Sequence, residues 1–366
     1  MMAGVPPPGP SSMLMRRSLL ALTTAAVLTA HAPVYANDAL LVLFRTYLES
    51  LREQAGIPGL AAVIVGKDNI IWEHASGRQD LERNIAARSD TPFHFDGLTQ
   101  VLTASLVLRC VEEGRLSLDD RIGDLVSKVP EPDATIRQLL THTSGPASRP
   151  VFAYRPKRLD PLAAVVRACT NDSFRETLAN LLDRLAMVDS VPGPDVLSLT
   201  PPGEGVPSRA ESERYSAVLQ RLAAPYAVDG QGRASRSASP AKTLVPASGL
   251  ITTVRDFARF DLALRDGDIV RDDALAAAWR PARGVSGEAL PHGLGWFVQE
   301  YNGETVVWQF GVGEDASSSL VITIPAREFT LVLAANCDRL VKPFPLAAGD
   351  LTVSPFARLF LGLFVR

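Results

Sequence analysis

The sequence predicts an α/β (α+β) protein in which one antiparallel sheet is completed by segments that lie far apart in the chain. Apolar runs rich in β-branched residues are typical of strands, and the intervening region, from about residue 97 to 186, has mostly helical spacing. Strands at both ends with helices between them favour a single sheet covered by helices and interrupted by a helical insertion. The strand-like runs are residues 60–65, 70–75, 305–309, 320–324 and 329–335.

The first predicted element is a helix from Asp38 to Ala55, because its apolar residues recur at helical spacing and Gly56 stops it. The next two apolar runs flank residues 66–69, Gly-Lys-Asp-Asn, which indicates a β-hairpin. The helix that starts near Gly97 is apolar nearly all round, so it should be buried, and Gly114 is placed to follow its last residue.

Two further helices are predicted toward the end of the chain. Thr253 and Asp256 have the spacing of a capping box, in which a hydroxyl and a carboxylate bind free amides at the start of a helix over residues 257–264. Residues 356–365 predict a short amphipathic helix, either packed on the sheet or lying on a membrane surface. By contrast, residues 191–240 are rich in Pro, Gly and Ser and predict a long surface excursion.

Composition excludes several classes of protein. At 366 residues, with 46% hydrophobic and 21% charged residues, the chain suits one large domain or two intimate ones. A net charge of -3 provides no basic surface for nucleic acid. Neither the five histidines nor the three cysteines have metal-ligand spacing, so no metal and no cofactor are expected. The odd cysteine count favours buried free thiols at Cys110, Cys169 and Cys337.

The N-terminal segment is interpreted as a signal peptide. Arg16 and Arg17 precede the apolar run 19–30, which is too short to span a bilayer comfortably, and Val34-Tyr35-Ala36 fits a cleavage site after Ala36. Residues 1–12 are interpreted as an extension upstream of the true start. The arginine pair leaves ordinary secretion and twin-arginine export both open. We therefore expect a periplasmic or secreted protein without a transmembrane segment after signal removal.

Several segments of the chain resemble one known family. The segments that carry the resemblance occur in order along the chain: Phe93 to Gln100, residues 101–114, Arg115 to Asp120, Ile136 to Gly145, and residues 223–226, 248–253 and 293–296. Together they resemble the penicillin-recognising serine hydrolases, the β-lactamase-related family that includes class C β-lactamases, DD-peptidases and esterases. The resemblance implies a two-lobed fold with its site between the lobes. It places a sheet lobe at 38–95 and 246–366, a helical lobe at 96–190 and the surface excursion at 191–245.

The resemblance also implies catalytic positions, and most of them have lost their chemistry. Members of the family carry Ser-x-x-Lys where this chain has Gly97-Leu98-Thr99-Gln100. A glycine has no nucleophile, and a glutamine amide cannot accept the proton of one. Tyr154 matches the tyrosine of the family's Tyr-x-Asn element, but Pro156 replaces its asparagine.

The third element of the family is Lys-Thr-Gly or His-x-Gly on an inner strand. Here Gln309 stands at the basic position, while Gly311 preserves the glycine. By resemblance, the backbone amides of Gly97 and Val312 would form the oxyanion hole, which needs no side chain.

Other residues could replace the lost groups. Ser317, Ser318 and Ser319 follow the inner strand and are the candidates for a relocated nucleophile, whereas Ser144 and Ser248 belong to loop motifs. His94 either faces the cleft or packs beneath the helix, with packing favoured, and His142 is interpreted as structural.

The favoured hypothesis is a secreted, penicillin-binding-protein-like pseudoenzyme that binds a small-molecule, peptide, cell-wall or acyl ligand without hydrolysing it. The alternative is an active serine hydrolase, an esterase, β-lactamase or peptidase, with a relocated nucleophile. Oligomeric state stays open, and no nucleic acid partner is expected.

Overall fold

The computed structural model describes residues 1–6, 38–145, 151–201 and 203–365. The chain divides into two compact units, residues 1–34 and 35–366. In the first unit only residues 1–6 are described, and they are exposed and form neither helix nor strand. The predicted signal segment from residue 7 to Ala36 and its cleavage site therefore lie outside the described residues.

The described part of the second unit alternates between strands and helices. Its strands are β1 Gly59–Val65, β2 Ile70–Asp80, β3 Ile85–Ala86, β4 Phe93–His94, β5 Val191–Pro192, β6 Tyr226–Val228, β7 Ala234–Arg236, β8 Leu250–Thr252, β9 Phe297–Tyr301, β10 Glu304–Gly313, β11 Ser317–Ile324 and β12 Phe329–Ala335. Its helices are α1 Asp38–Gln54, α2 Thr99–Glu112, α3 Ile122–Leu125, α4 Ile136–Leu140, α5 Leu162–Thr170, α6 Phe174–Arg184, α7 Arg209–Leu219, α8 Val254–Arg265, α9 Asp272–Ala278 and α10 Pro355–Phe364.

The main sheet joins the two ends of the chain, as the sequence predicts. Among the described residues it has seven strands in the order β3-β2-β1-β12-β11-β10-β9. Each neighbouring pair is antiparallel, and the closure between distant segments is the pairing of β1 with β12, from Leu60 opposite Ala335 to Val65 opposite Thr330. The predicted α/β (α+β) class is confirmed.

The side chains of β1 point alternately to the two faces of the sheet and so contribute to both layers of the core. On β1, Ala61, Val63 and Val65 point into a cluster that includes residues of α2, α5 and α8. The intervening Leu60, Ala62 and Ile64 point to the opposite face and pack with residues of α1 and α10. Helices therefore cover both faces of the sheet, and α10, the predicted amphipathic helix at the end, packs on the sheet.

Helix ends follow the predicted signals with one exception. Gly114 adopts φ 68° just after α2, a conformation that favours glycine. At α8, the Thr253 side chain accepts a hydrogen bond from the Asp256 amide at 3.0 Å, as predicted. The Asp256 carboxylate does not complete the capping box, because it instead accepts from Ser190 Oγ at 2.9 Å and from the Asp189 amide at 2.8 Å.

The Pro/Gly/Ser-rich segment contains a helix that the sequence analysis missed. Its helix α7 begins after Ser208, whose side chain accepts from the Glu211 amide at 3.3 Å in a capping box. Tyr215 and Val218 of α7 are buried against Val191, Val196 and Ile251. Because only these few side chains face inward, the helix has a weak amphipathic pattern.

Two cysteines form a disulfide, which corrects the expectation of free thiols. Cys110 of α2 and Cys169 of α5 are bonded, whereas Cys337 is free and buried. An odd cysteine count does not exclude one bridge, and sequence spacing gave no sign that α5 packs directly against α2. The bridge ties two helices of the helical region together.

Candidate functional site

The centre of the candidate site is a close approach between the turn before α2 and the inner strand β10. The 3₁₀ turn Asp96–Leu98 leads directly into α2 and packs against β10. A Cβ added to Gly97 would overlap the carbonyl oxygen of Phe310, and a Cβ added to Gly311 would lie 2.7 Å from the Gly97 nitrogen. Both positions therefore require glycine at the observed backbone separation.

Three of the side chains at positions inferred from the family resemblance, Gln100, Tyr154 and Gln309, form one hydrogen-bonded chain. Gln100 Nε2 donates to the Tyr154 hydroxyl at 2.8 Å and to the Gly97 carbonyl at 3.1 Å. The Tyr154 hydroxyl in turn donates to Gln309 Oε1 at 3.2 Å. Gln309 Nε2 ends the chain on the carbonyl of Gly295 at 3.2 Å. The structure thus brings Gln100, Tyr154 and Gln309 together.

His142 belongs to this network, although the sequence analysis assigned it a structural role only. Its Nε2 lies 3.2 Å from Gln100 Oε1, and its Nδ1 accepts from the Arg155 amide at 3.3 Å. These two bonds fit the tautomer with the proton on Nε2. The His142 and Tyr154 rings also pack with centroids 4.7 Å apart. The sequence around His142, Leu-Leu-Thr-His, does not indicate that this histidine would hydrogen-bond with Gln100.

The network is electrically neutral. Burial lowers the pKa of His142 well below its usual range, aided by the nearby His292 and Arg158. Burial also raises the pKa of Tyr154, against a smaller opposing effect of its hydrogen bond from Gln100. Amides and a protonated phenol are not bases near neutral pH. The neutral imidazole of His142 can accept a proton only at Nδ1, where the Arg155 amide already donates, and its lowered pKa makes it a weak base. Pro156, which begins a 3₁₀ turn over Pro156–Leu159, adds no side-chain donor or acceptor.

The serines proposed as replacement nucleophiles are buried, and the hydroxyls on β11 are occupied. Ser317 Oγ donates to Asp96 Oδ2 at 2.6 Å, Ser318 Oγ to the Cys337 carbonyl at 2.5 Å, and Ser319 Oγ to the Phe95 carbonyl at 2.7 Å. None of these bonds pairs a hydroxyl with a basic nitrogen.

The remaining candidates are placed as packing residues. Ser144 is buried and its hydroxyl has no partner within the described part of the chain. Ser248 forms a small turn, its amide donating to the Val245 carbonyl at 3.0 Å. His94 is buried in β4, where burial lowers its pKa to about 4, so its packing alternative is the one observed.

Asp96 is a functional candidate that the sequence analysis did not identify. It directly precedes Gly97, is buried and adopts φ 45°, a strained conformation for a residue with a side chain. Burial raises the pKa of its carboxyl to about 6, and the hydrogen bond from Ser317 opposes this only in part. An acidic residue before a helix start is common, so its burial had no sequence signal.

Asp96→Asn is expected to gain stability relative to the wild type as pH rises. The raised pKa means that the wild-type carboxyl contributes fully below about pH 4 and loses that contribution as pH rises to about 6. Buried His94 and His292, each with a pKa lowered to about 4, act oppositely in the same window, so the difference between variant and wild type isolates Asp96. Urea denaturation between pH 4 and pH 8 measures it, and a pH-independent difference would contradict the assignment.

The free edge of β10 lies beside Gly97. Strand β9 pairs with β10 only from Glu304 to Trp308, so the later residues of β10 have no partner on that edge among the described strands. The Phe310 amide points to this edge, where Gln309 Oε1 accepts its hydrogen at 2.9 Å. Because strand residues alternate, the amide of Val312 points the same way, and Val312 is 41% exposed. The edge can therefore donate a hydrogen bond to an incoming carbonyl.

Comparison of the fold with solved structures gives the class of protein. A large antiparallel sheet with helices on both faces matches solved penicillin-binding proteins and β-lactamases. The octameric penicillin-binding protein homologue from Pyrococcus abyssi gives a TM-score of 0.70, with 17% identity, over 88% of this chain and 77% of that one. D-alanine carboxypeptidase AmpC from Burkholderia cenocepacia gives 0.64, with 20% identity, over 85% and 97%. These likenesses establish the fold.

Sequence comparison then gives the family. The β-lactamase family profile matches residues 44–350, so the chain belongs to the β-lactamase family. Penicillin-binding protein 4 of Amycolatopsis lactamdurans is 35% identical over 130 residues, which are 34% of this chain and 33% of that protein. Esterase EstB of Burkholderia gladioli is 34% identical over 104 residues, 26% of each chain. The chain thus matches between a quarter and a third of the length of these curated relatives.

The described residues hold neither a metal site nor a membrane-spanning helix. No group of three His, Cys, Asp or Glu side chains is arranged there to hold a metal ion. Among the same residues, no helix has both the length and the apolar character needed to cross a membrane.

Proposed function

We propose that this protein is an exported member of the β-lactamase family that binds a peptide-like or acyl ligand without hydrolysing it. The observation that carries the proposal is the neutral Gln100–Tyr154–Gln309 chain beside a position, Gly97, that has no side chain. Acyl transfer by a serine requires both a nucleophile and a group that removes its proton. At this site Gly97 stands where the nucleophile is expected and Gln100 stands where the proton acceptor is expected. Neither residue has a side chain that can take that role.

The ligand class is supported by the backbone hydrogen-bond donor of the site. The unpaired edge of β10 offers the Val312 amide, and an extended ligand can add to such an edge by main-chain hydrogen bonds. A carbonyl or carboxylate there would meet a donor without meeting a nucleophile. The names of the relatives, a penicillin-binding protein and a D-alanine carboxypeptidase, suggest D-alanyl peptides as first probes.

Export is supported by the disulfide. The Cys110–Cys169 bridge favours an oxidising compartment, because structural disulfides are rare in the cytosol. This agrees with the signal peptide predicted from the sequence, whose cleavage after Ala36 is checked by N-terminal sequencing of the protein recovered from the periplasm or medium.

The active-hydrolase alternative is supported by the esterase relative EstB. Covalent labelling separates the two proposals. Purified protein treated with a fluorescent penicillin and with a fluorophosphonate is expected to show no added mass in intact mass spectrometry. A stoichiometric adduct mapped to any serine would instead establish the active hydrolase.

Binding itself is tested with an N-acetylated peptide ending in D-alanyl-D-alanine. Isothermal titration calorimetry is expected to give saturable binding that weakens about ten-fold or more in Val312→Pro, because proline removes the edge amide without breaking a sheet hydrogen bond. Val312→Ala keeps the amide and should bind like the wild type. Equal binding by both variants, or no binding to the wild type, would overturn the ligand assignment.

A further inference from the structure

A cavity lies away from the candidate site, in the groove between α2 and α6. Its volume is about 280 Å³. Helix α2 and its C-cap line it with Leu106, Arg109, Cys110 and Glu113, and α6 lines it with Thr177, Asn180, Leu181 and Arg184. Each set has the spacing i, i+3, i+4, i+7, so each helix turns one continuous face to the cavity.

The rim of this groove has more positive than negative charge. Three arginines and two carboxylates line it. The Glu113 carboxylate forms ion pairs with two of these arginines. Its Oε1 lies 3.1 Å from Arg109 Nε, and its Oε2 lies 3.2 Å from Arg115 Nη2. The other carboxylate, Asp172, is exposed and also lines the adjoining cavity on the far side of α6.

The guanidinium group of Arg184 has hydrogen-bond donors available for a ligand. It forms no side-chain ion pair with any residue that the structure describes, while Arg109 raises the local positive potential beside it. Burial and then the charge of Arg109 lower the pKa of Arg184, against a smaller opposing effect of Asp268. An anion placed between the two guanidinium groups would remove their repulsion and accept their hydrogen bonds.

The floor of the groove is apolar. Leu106 and Leu181 are buried, and so is Cys110, which lines the groove and is bonded to Cys169. The hydroxyls of Thr170 and Thr177, which also line the groove, are hydrogen-bonded to each other at 3.1 Å. The other eight of the eleven lining residues are polar or charged, so the groove places hydrogen-bonding groups around a small apolar floor.

We infer that this groove binds a small organic anion, with its carboxylate or phosphate between Arg184 and Arg109 and its apolar part on Leu106, Leu181 and the disulfide. The volume admits a molecule about the size of an amino acid or an aromatic acid. Nothing in this site depends on Gly97 or on the free edge of β10, so the inference stands apart from the proposed function.

Calorimetric titration with benzoate and with inorganic phosphate, at constant ionic strength, tests the inference on the full-length protein. Benzoate is expected to bind saturably and more tightly than phosphate, because phosphate uses only the arginines. Arg184→Gln should weaken benzoate binding about ten-fold or more. A melting temperature of Arg184→Gln equal to that of the wild type without ligand would show that the fold is intact.

Arg209→Gln is the matched control, since Arg209 lies on α7 outside the groove and is 93% exposed at its side chain. It should leave benzoate binding unchanged. No saturable binding of either anion, equal loss in both variants, or phosphate binding as tight as benzoate would each overturn the inference of an organic-anion site. None of these results bears on binding at β10.

Discussion

Gly97→Ser/Gln100→Lys, which would rebuild the Ser-x-x-Lys motif, is expected to give a destabilised protein and no acyl-enzyme. The new serine Cβ would overlap the Phe310 carbonyl oxygen, which is backbone and cannot rotate away. Overpacking of this kind costs about 1–3 kcal/mol. At position 100 a lysine would replace a buried amide that contacts Tyr154 and His142, with no carboxylate partner among its observed contacts, and an unpaired buried charge adds a similar or larger cost.

The two single variants separate these contributions. Thermal unfolding of Gly97→Ser, Gln100→Lys and the double variant, followed by labelling with fluorescent penicillin, gives stability and reactivity on the same samples. Gly230→Ser is the control, because a Cβ at Gly230 meets no heavy atom within 4 Å and its φ lies outside the left-handed region. A double variant as stable as the control, or one that acylates, would show that β10 can move away from Gly97.

The fold was predictable because its main signals are local. Apolar runs marked β1, β2, β10, β11 and β12. Helical spacing marked α1, an apolar stretch ended by Gly114 marked α2, and a capping signal marked α8, so the pairing of chain ends into one sheet followed. Helix α7 escaped because few of its residues are buried, and β9 escaped because the Gly-rich segment before Trp296 obscured it. Pairing of Cys110 with Cys169 depends on how two helices pack, which their spacing in the chain does not contain.

At the candidate site, the positions of the side chains are predictable from the sequence, but their interactions are not. Gly97, Gln100, Tyr154 and Gln309 were singled out by resemblance, and the structure places the last three in one hydrogen-bonded chain. That chain has a single direction of donation, ending on the Gly295 carbonyl. This direction is set at each end of the chain. His142, with its proton on Nε2, donates to Gln100 Oε1, and the Phe310 amide donates to Gln309 Oε1. Neither contact can be predicted from residue type. The burial of Asp96 beside Ser317 likewise arises only when β11 meets the turn before α2.

Replacement of the disulfide is expected to have the largest effect on stability away from the site. Cys110 and Cys169 are separated by 59 residues, and closing a loop of that length in the unfolded chain stabilises the fold by about 4 kcal/mol in the chain-entropy treatment. Cys110→Ser/Cys169→Ser should therefore lose most of that amount in urea denaturation, because both side chains are buried between α2 and α5 and serine also places hydroxyls there.

Reductant provides the internal control for this prediction. Dithiothreitol should destabilise the wild type toward the level of Cys110→Ser/Cys169→Ser and leave that variant unchanged, because its remaining thiol, Cys337, is free and buried. Equal stability of oxidised wild type and variant would contradict a structural role for the bridge. Since Cys110 of this bridge lines the groove between α2 and α6, benzoate binding should weaken along with stability. The bridge would then both hold the helical region together and shape its anion site.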